Sequence, residues 1–151
     1  MSAVLGIQRV GTYEPAIYIG SRPPAWFIGS NDWAWLKIGL VVCLEGRVTY
    51  RMTGVSPLMQ WPMLDVSEPA FVPERPHFER WIAAVKSVAG SRPVFWHSEH
   101  GLNRSAFAVV SYLCAHHGAD VYEAIAEVRA VRGSCALSNR ALESALIERY
   151  G

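Results

Sequence analysis

The sequence predicts an α/β domain with a central mixed sheet flanked by helices and a helical C-terminal half. Three observations in its 151 residues predict it. Leu40–Leu44 (LVVCL) is apolar without alternation, as a central strand covered on both faces would be. Pro93–Trp96 (PVFW) is a second apolar run, followed at once by a polar, glycine-bearing loop and then by the apolar stretch Ser105–His116. Two more helical patterns close the chain, so strands mixed with helices come first and three helices follow. The domain is expected over residues 16–151, with 1–15 as an N-terminal extension or an edge strand.

In chain order, Ala16–Ile19 (AIYI) reads as a short strand ended by Gly20, and Ser21–Ala25 (SRPPA) as a turn. Asn31 or Asp32 is expected to cap a short helix through Leu36 that Gly39 ends. Val48–Met52 alternates and is expected to form a strand. Met59–Pro62 leads into a loop holding Leu64, Asp65 and Val66. From Pro76 to Val88, Phe78, Trp81, Ile82 and Val85 fall at i, i+3, i+4 and i+7, on one helical face, and Gly90 stops the helix. After the apolar helix Ser105–His116, stopped by Gly118, Asp120 caps a helix from Val121 to Ala130. The last helix is expected from about Asn139 to Tyr150.

Composition narrows the function classes. Hydrophobic residues make up 51% of the chain and charged residues 18%, enough for a sizeable core. Six Trp and six Tyr are many for this length, and some of these rings are expected to be half exposed. The net charge of +1 gives no long-range field for nucleic acid or a membrane surface. The opening MSAVLGIQRV lacks the apolar core of a signal peptide. No run approaches the roughly 18 apolar residues of a membrane span. Cys43, Cys114 and Cys135 are far apart and odd in number, which fits a reducing cytoplasm better than a disulfide framework. Neither they nor His97, His100, His116 and His117 make a known zinc spacing, so no metal and no cofactor are expected.

The informative stretch is HSEHGLNRS, His97 to Ser105, between a strand and a buried helix. A loop joining a strand's carboxyl end to a helix start presents several backbone N–H groups in one direction. With the helix dipole they make an anion site. Gly101 permits the tight curve. Arg104, at the helix start, can hold an oxyanion through two parallel hydrogen bonds. The ligand expected is phosphate or sulfate, cradled by Ser98, Glu99, His100, Gly101, Leu102, Asn103 and Arg104. The G-K-[ST] ending of a nucleotide-binding P-loop and the G-x-S-x-G of a hydrolase elbow are both absent.

These residues resemble the signature of the protein tyrosine and dual-specificity phosphatases, H-C-x-x-G-x-x-R-[S/T]. His97, Gly101, Arg104 and Ser105 match, while Ser98 stands where the nucleophilic cysteine belongs. AIYIGS, WLKIGLVVCL and EAIAEVRAVRGSCALSN look like further parts of a compact dual-specificity domain, so the resemblance covers roughly residues 16–148. It implies that a cysteine at 98 would attack phosphorus, that Arg104 would hold the phosphoryl oxygens, and that Ser105 would hydrogen-bond the sulfur. His97 resembles the family's buried loop histidine, which orients backbone around the nucleophile. The family's general acid is an aspartic acid roughly thirty residues before the nucleophile, a place that Asp65 takes, with Glu68 as a weaker alternative. Asp32 and Asp120 look like helix caps, Trp61 and Trp96 like packing residues.

A serine hydroxyl has a far higher pKa than a thiol, and the same loop cannot make it an abundant alkoxide. The resemblance therefore implies a phosphoprotein phosphatase domain in a substrate-trapping, cysteine-to-serine form, its partner a phosphorylated protein or peptide. Two alternatives stay open. HGLNR, His100 to Arg104, also resembles the loop of RNA 5′-triphosphatases, H-C-T-H-G-x-N-R-T-G, with Glu99 and Ala106 departing from it. A naturally inactive phosphopeptide-binding relative would carry the same sequence.

Overall fold

The computed structural model describes residues 6–48, 50 and 57–151. Five strands pair in the order β1–β2–β5–β3–β4: β1 Gln8–Arg9, β2 Ile17–Gly20, β5 Val94–His97, β3 Leu40–Cys43 and β4 Leu58–Gln60. Four of them are parallel, and β1 runs antiparallel to β2 along one edge, so the sheet is mixed. Every residue of β3 and β5 is buried. Their side chains alternate between two cores, which explains apolar runs without alternation. Leu40, Val42, Val94 and Trp96 face the larger core, shared with the long helices. Val41 and Phe95 face a smaller one with Phe27, Trp33 and Ile38.

The helices are α1 Asn31–Leu36, α2 Arg75–Ala89, α3 Arg104–His117, α4 Val121–Arg132 and α5 Arg140–Tyr150. The predicted face of α2 holds for Phe78, Ile82 and Val85, which are buried, with Trp81 packed partly exposed on the core. All nine residues from Ser105 to Leu113 of α3 are buried, because this helix lies between the sheet and α2, α4 and α5. Asp120 caps α4 by accepting from Glu123 N at 3.1 Å. Among the described residues no helix is long and apolar enough to cross a membrane.

The structure corrects several local expectations. Ser30, not Asn31 or Asp32, caps α1. Its backbone is still extended, and its Oγ accepts from Trp33 N at 3.2 Å, whereas Asn31 and Asp32 are already helical. The helix ends at Lys37, whose left-handed backbone (φ 56°) does the work assigned to Gly39. Leu58–Gln60 is a strand paired in parallel with β3 rather than a lead-in to a loop. Three half-exposed residues carry too little pattern to announce a strand, and β3 supplies the register. Thr49, Arg51 and Met52 of the expected strand Val48–Met52 lie outside the described residues.

The four parallel strands have one consequence for function. Their carboxyl ends share one edge, so the segments after β2, β3, β4 and β5 converge there, the usual place for a ligand in an open α/β sheet.

Candidate active site

The segment after β5 curves through residues 98–103, and Arg104 opens α3. Gly101 takes φ +67°, and a Cβ there would lie 2.4 Å from the Gly20 carbonyl oxygen and 2.8 Å from Arg132 Nη2. The loop must pass so close to β2 that no other residue fits. Its outer side is fastened by Arg132, the last residue of α4. That guanidinium donates to the carbonyls of His100 (2.9 Å) and Gly101 (3.1 Å), and also to Gly6 O and Gln8 Oε1. Leu137 N donates to Leu102 O at 2.8 Å. The loop's carbonyls are thus turned outward and paired. Among the described residues no backbone N–H of 99–103 donates to a protein acceptor. Several N–H groups left free on one loop at a helix start favour an anion.

Ser98 is buried, with its Oγ 3.0 Å from Ser105 Oγ and 3.4 Å from Ser105 N at the start of α3. Arg104 donates through Nη1 to Met63 O at 3.3 Å, and its buried Nε has no partner among the described residues. Arg104 lines a cleft of about 490 Å³ together with Arg22, Glu45, Gly46, Arg47 and Glu99. His100 is exposed and reaches the loop's architecture through its carbonyl, not through the cleft lining.

Beneath the loop lies a polar cluster that the sequence reading did not assign. Glu45 follows β3 and is buried; both its oxygens face Arg22, and Oε2 is 3.4 Å from His97 Nδ1. Burial alone would raise the Glu45 carboxyl, but the contacts from His97 and Arg22 outweigh it and bring the pKa down to about 2. Glu45 in turn raises Arg22. His97 turns its other nitrogen, Nε2, to the Tyr50 hydroxyl at 2.5 Å. His97 therefore has an acid neighbour in Glu45. Both its ring nitrogens nevertheless face Glu45 and Tyr50, and Ser98 Oγ bonds Ser105 instead. Cys43, Glu45 and His97 place possible metal-ligand atoms within 4.8 Å of one another, the one such group among the described residues. Glu45 already carries the Arg22 guanidinium, whose charge opposes a further cation.

Asp65 lies after β4 on an exposed stretch that crosses to the same edge. Its Oδ2 accepts from Asn103 Nδ2 at 3.2 Å and its Oδ1 from Asn139 Nδ2 at 2.9 Å. The candidate acid and the candidate phosphate loop are thereby joined directly. Glu68 precedes a single 3-10 turn, Pro69–Phe71, where its carbonyl accepts from Phe71 N. Trp96 is buried, and Trp61 packs on Phe78 and Trp81 with ring centroids 5.4 and 5.3 Å apart. Arg22, Glu45, Tyr50, Arg132 and Asn139 are the site residues that the sequence reading missed. They lie in four separate segments, and nothing local in the sequence marks any of them as belonging to one site.

No protein-family profile and no curated protein sequence matches the chain. Solved structures do. A mouse dual-specificity phosphatase complexed with zinc tungstate superposes with a TM-score of 0.74 at 21% identity, over 97% of this chain and 86% of that one. A variant of human DUSP28 matches with a TM-score of 0.65 at 25% identity, over 95% of this chain and 98% of the other. The human tyrosine phosphatase-like serine/threonine/tyrosine-interacting protein matches with a TM-score of 0.67 at 15% identity, over 96% and 99%.

Proposed function

Since this chain shares the fold of dual-specificity and tyrosine phosphatases, we propose that its loop 98–104 recognises phosphomonoesters on phosphoproteins. In its serine form it holds them without turning them over, a substrate-trapping state. The observation that carries this reading is the setting of Ser98. Its hydroxyl sits at the start of α3, beside a loop whose backbone N–H groups find no protein acceptor, and its hydrogen-bond partners are the hydroxyl and amide of Ser105. Those groups receive an anion, and none of them is a base able to ionise an alcohol.

With cysteine at 98 the same setting supports a full cycle. The thiolate attacks phosphorus while the ester P–O bond breaks, and Asp65 gives its proton to the leaving oxygen. Arg104 and the loop amides hold the three equatorial oxygens. Water then attacks phosphorus as the Asp65 carboxylate takes its proton, the S–P bond breaks, and phosphate departs, leaving a thiolate and a protonated Asp65.

One observation favours a second reading, the RNA 5′-triphosphatase. Arg22 and Arg47 line the cleft beside Arg104, as a polyphosphate would need. Arg22 is neutralised by Glu45, however, and Glu99 adds a negative charge to the same lining. One uncompensated arginine beyond Arg104 is a modest provision for a triphosphate, so the monoester reading ranks first.

The test is paired. One phosphopeptide is titrated calorimetrically into the chain with serine at 98 and into its Ser98→Cys form, and phosphate release is followed for both. Binding is expected to agree within about tenfold, or to favour serine, because serine removes a negative charge next to a dianion. Turnover is expected only from the cysteine form. Substantial release by the serine form would show that the nucleophile has been misread. Binding by both without release by either would make the chain a phosphopeptide-binding module.

A further inference from the structure

The carboxylate of Asp65 is held on both sides. Residues 61–68 form no regular element, and the apolar residues next to Asp65, Leu64 and Val66, are exposed. Hydrophobic packing therefore does not aim this side chain, and polar contacts must. Three hydrogen bonds close a ring: Asn103 Nδ2 to Asp65 Oδ2 at 3.2 Å, Asn139 Nδ2 to Asp65 Oδ1 at 2.9 Å, and Asn139 N to Asn103 Oδ1 at 3.0 Å.

The direction of each amide in the ring is dictated by backbone donors. Asn139 Oδ1 accepts from Ala141 N at 3.1 Å and from Leu142 N at 3.2 Å, because Asn139 caps α5. An amide nitrogen could accept from neither, so the NH₂ of Asn139 must point the other way, at Asp65. Asn103 Oδ1 likewise takes the Asn139 backbone N–H, which turns its own NH₂ to Asp65. Asn139 is only 7% exposed, so water competes little for its donor.

We propose that Asn139 is a positioning residue for Asp65: it fixes the carboxylate against the phosphate loop and ties the aim of the acid to the first turn of α5. This rests on the reading of Asp65 as the general acid. Proton delivery to a leaving oxygen depends on placement to within about 1 Å, a misplacement that can cost roughly 10²-fold in rate. Asn139 does not touch the substrate. It acts by removing rotational freedom from the group that does.

The test uses the Ser98→Cys form of the full chain and two aryl phosphates, phenyl phosphate with a poor leaving group and 2,4-dinitrophenyl phosphate with a good one. Only the poor one needs the acid. Asn139→Ser and Asn139→Asp are both good helix caps, so α5 keeps its first turn. The backbone N–H to Asn103 survives both changes. Serine removes the donor to Asp65, and aspartate sets a second carboxylate against it. Asn139→Ser is expected to reduce kcat at least about tenfold more for the poor leaving group than for the good one, with KM little affected, and Asn139→Asp to widen that gap. Asp65→Asn should show the same leaving-group dependence more strongly, and adding Asn139→Ser to it should cost nothing further.

If Asp65→Asn is leaving-group dependent but Asn139→Ser lowers both substrates equally, Asn139 is a helix cap and the inference is overturned. A thermal melt accompanying each variant identifies that case, since a lost cap lowers Tm without a leaving-group preference. If Asp65→Asn itself shows no such dependence, the acid has been misassigned and the functional reading fails in that part, whatever Asn139 does.

Discussion

At the scale of single residues, Gly101 and Ser98 divide the work of the loop. Gly101 decides whether the loop can exist, because its left-handed backbone and the 2.4 Å approach to the Gly20 carbonyl leave no room for a side chain. The nearest obstacle is the Gly20 backbone, which a rotamer change cannot relieve. Gly101→Ala is therefore expected to cost more than about 1 kcal/mol from the backbone conformation alone. The clash should push the loop off β2 and weaken binding of inorganic phosphate severalfold. Urea denaturation and phosphate titration of the same sample check both parts, and a variant that binds phosphate normally would mean that the loop is wider than described. Ser98 decides what the formed loop does. Its partners are donors and a hydroxyl, so the chemistry at this position depends on the acidity of the group placed there and not on a neighbouring base.

At the scale of elements, the candidate phosphate loop is held from outside it, above all by the end of α4. Arg132 brings the end of α4 to the carbonyls of His100 and Gly101 and to Gly6 O, with three nitrogens engaged. Burial lowers its pKa, a mark of how far the guanidinium is withdrawn from water. Removing it leaves several carbonyls without a donor at once. Arg132→Ala is expected to destabilise the fold by about 1–3 kcal/mol and, in the Ser98→Cys form, to raise KM for an aryl phosphate more than it lowers kcat. The loop loses its preset curvature while Arg104 and the nucleophile remain. Denaturant unfolding with steady-state kinetics reads both. A kcat effect with unaltered KM would indicate that Arg132 acts on the chemical step instead. Arg132→Lys should recover little, since one ammonium cannot span the acceptors that a planar fork reaches.

At the scale of the whole molecule, charge sets the class of substrate. The chain carries a net charge of only +1, and the cleft's three arginines are set against Glu45 and Glu99. Attraction is therefore expected to be local, at Arg104 and the loop. In the Ser98→Cys form, kcat/KM for aryl phosphates and phosphopeptides is expected to exceed that for the γ-phosphate of a 5′-triphosphorylated RNA, measured in one buffer at one salt concentration. A clear preference for the RNA would reverse the ranking and give Arg22 and Arg47 the role of polyphosphate ligands.

Much of this was legible in the residues themselves. The apolar runs LVVCL and PVFW could be read as buried strands because a strand covered on both faces must be apolar at every position. The period of Phe78, Ile82 and Val85 gave α2 its inward face, and Asp120 marked the start of α4. HSEHGLNRS showed a tight loop between a strand and a buried helix through its order of strand, glycine, arginine and helix. These are local properties, set by neighbours within a few positions. The strand Leu58–Gln60 escaped notice for the complementary reason, since its partner β3 and not its own pattern makes it a strand.

Residue pattern alone thus marked most of the elements, the two-faced burial of the central strands and the loop with its serine. The tertiary structure alone decided which distant side chains meet at that loop: Glu45 with Arg22 and His97, Arg132 with the loop carbonyls, and Asn139 with Asp65. Each of these contacts joins segments tens of residues apart. Their distances follow from strand order, register and helix docking, none of which is written in the spacing of the residues along the chain.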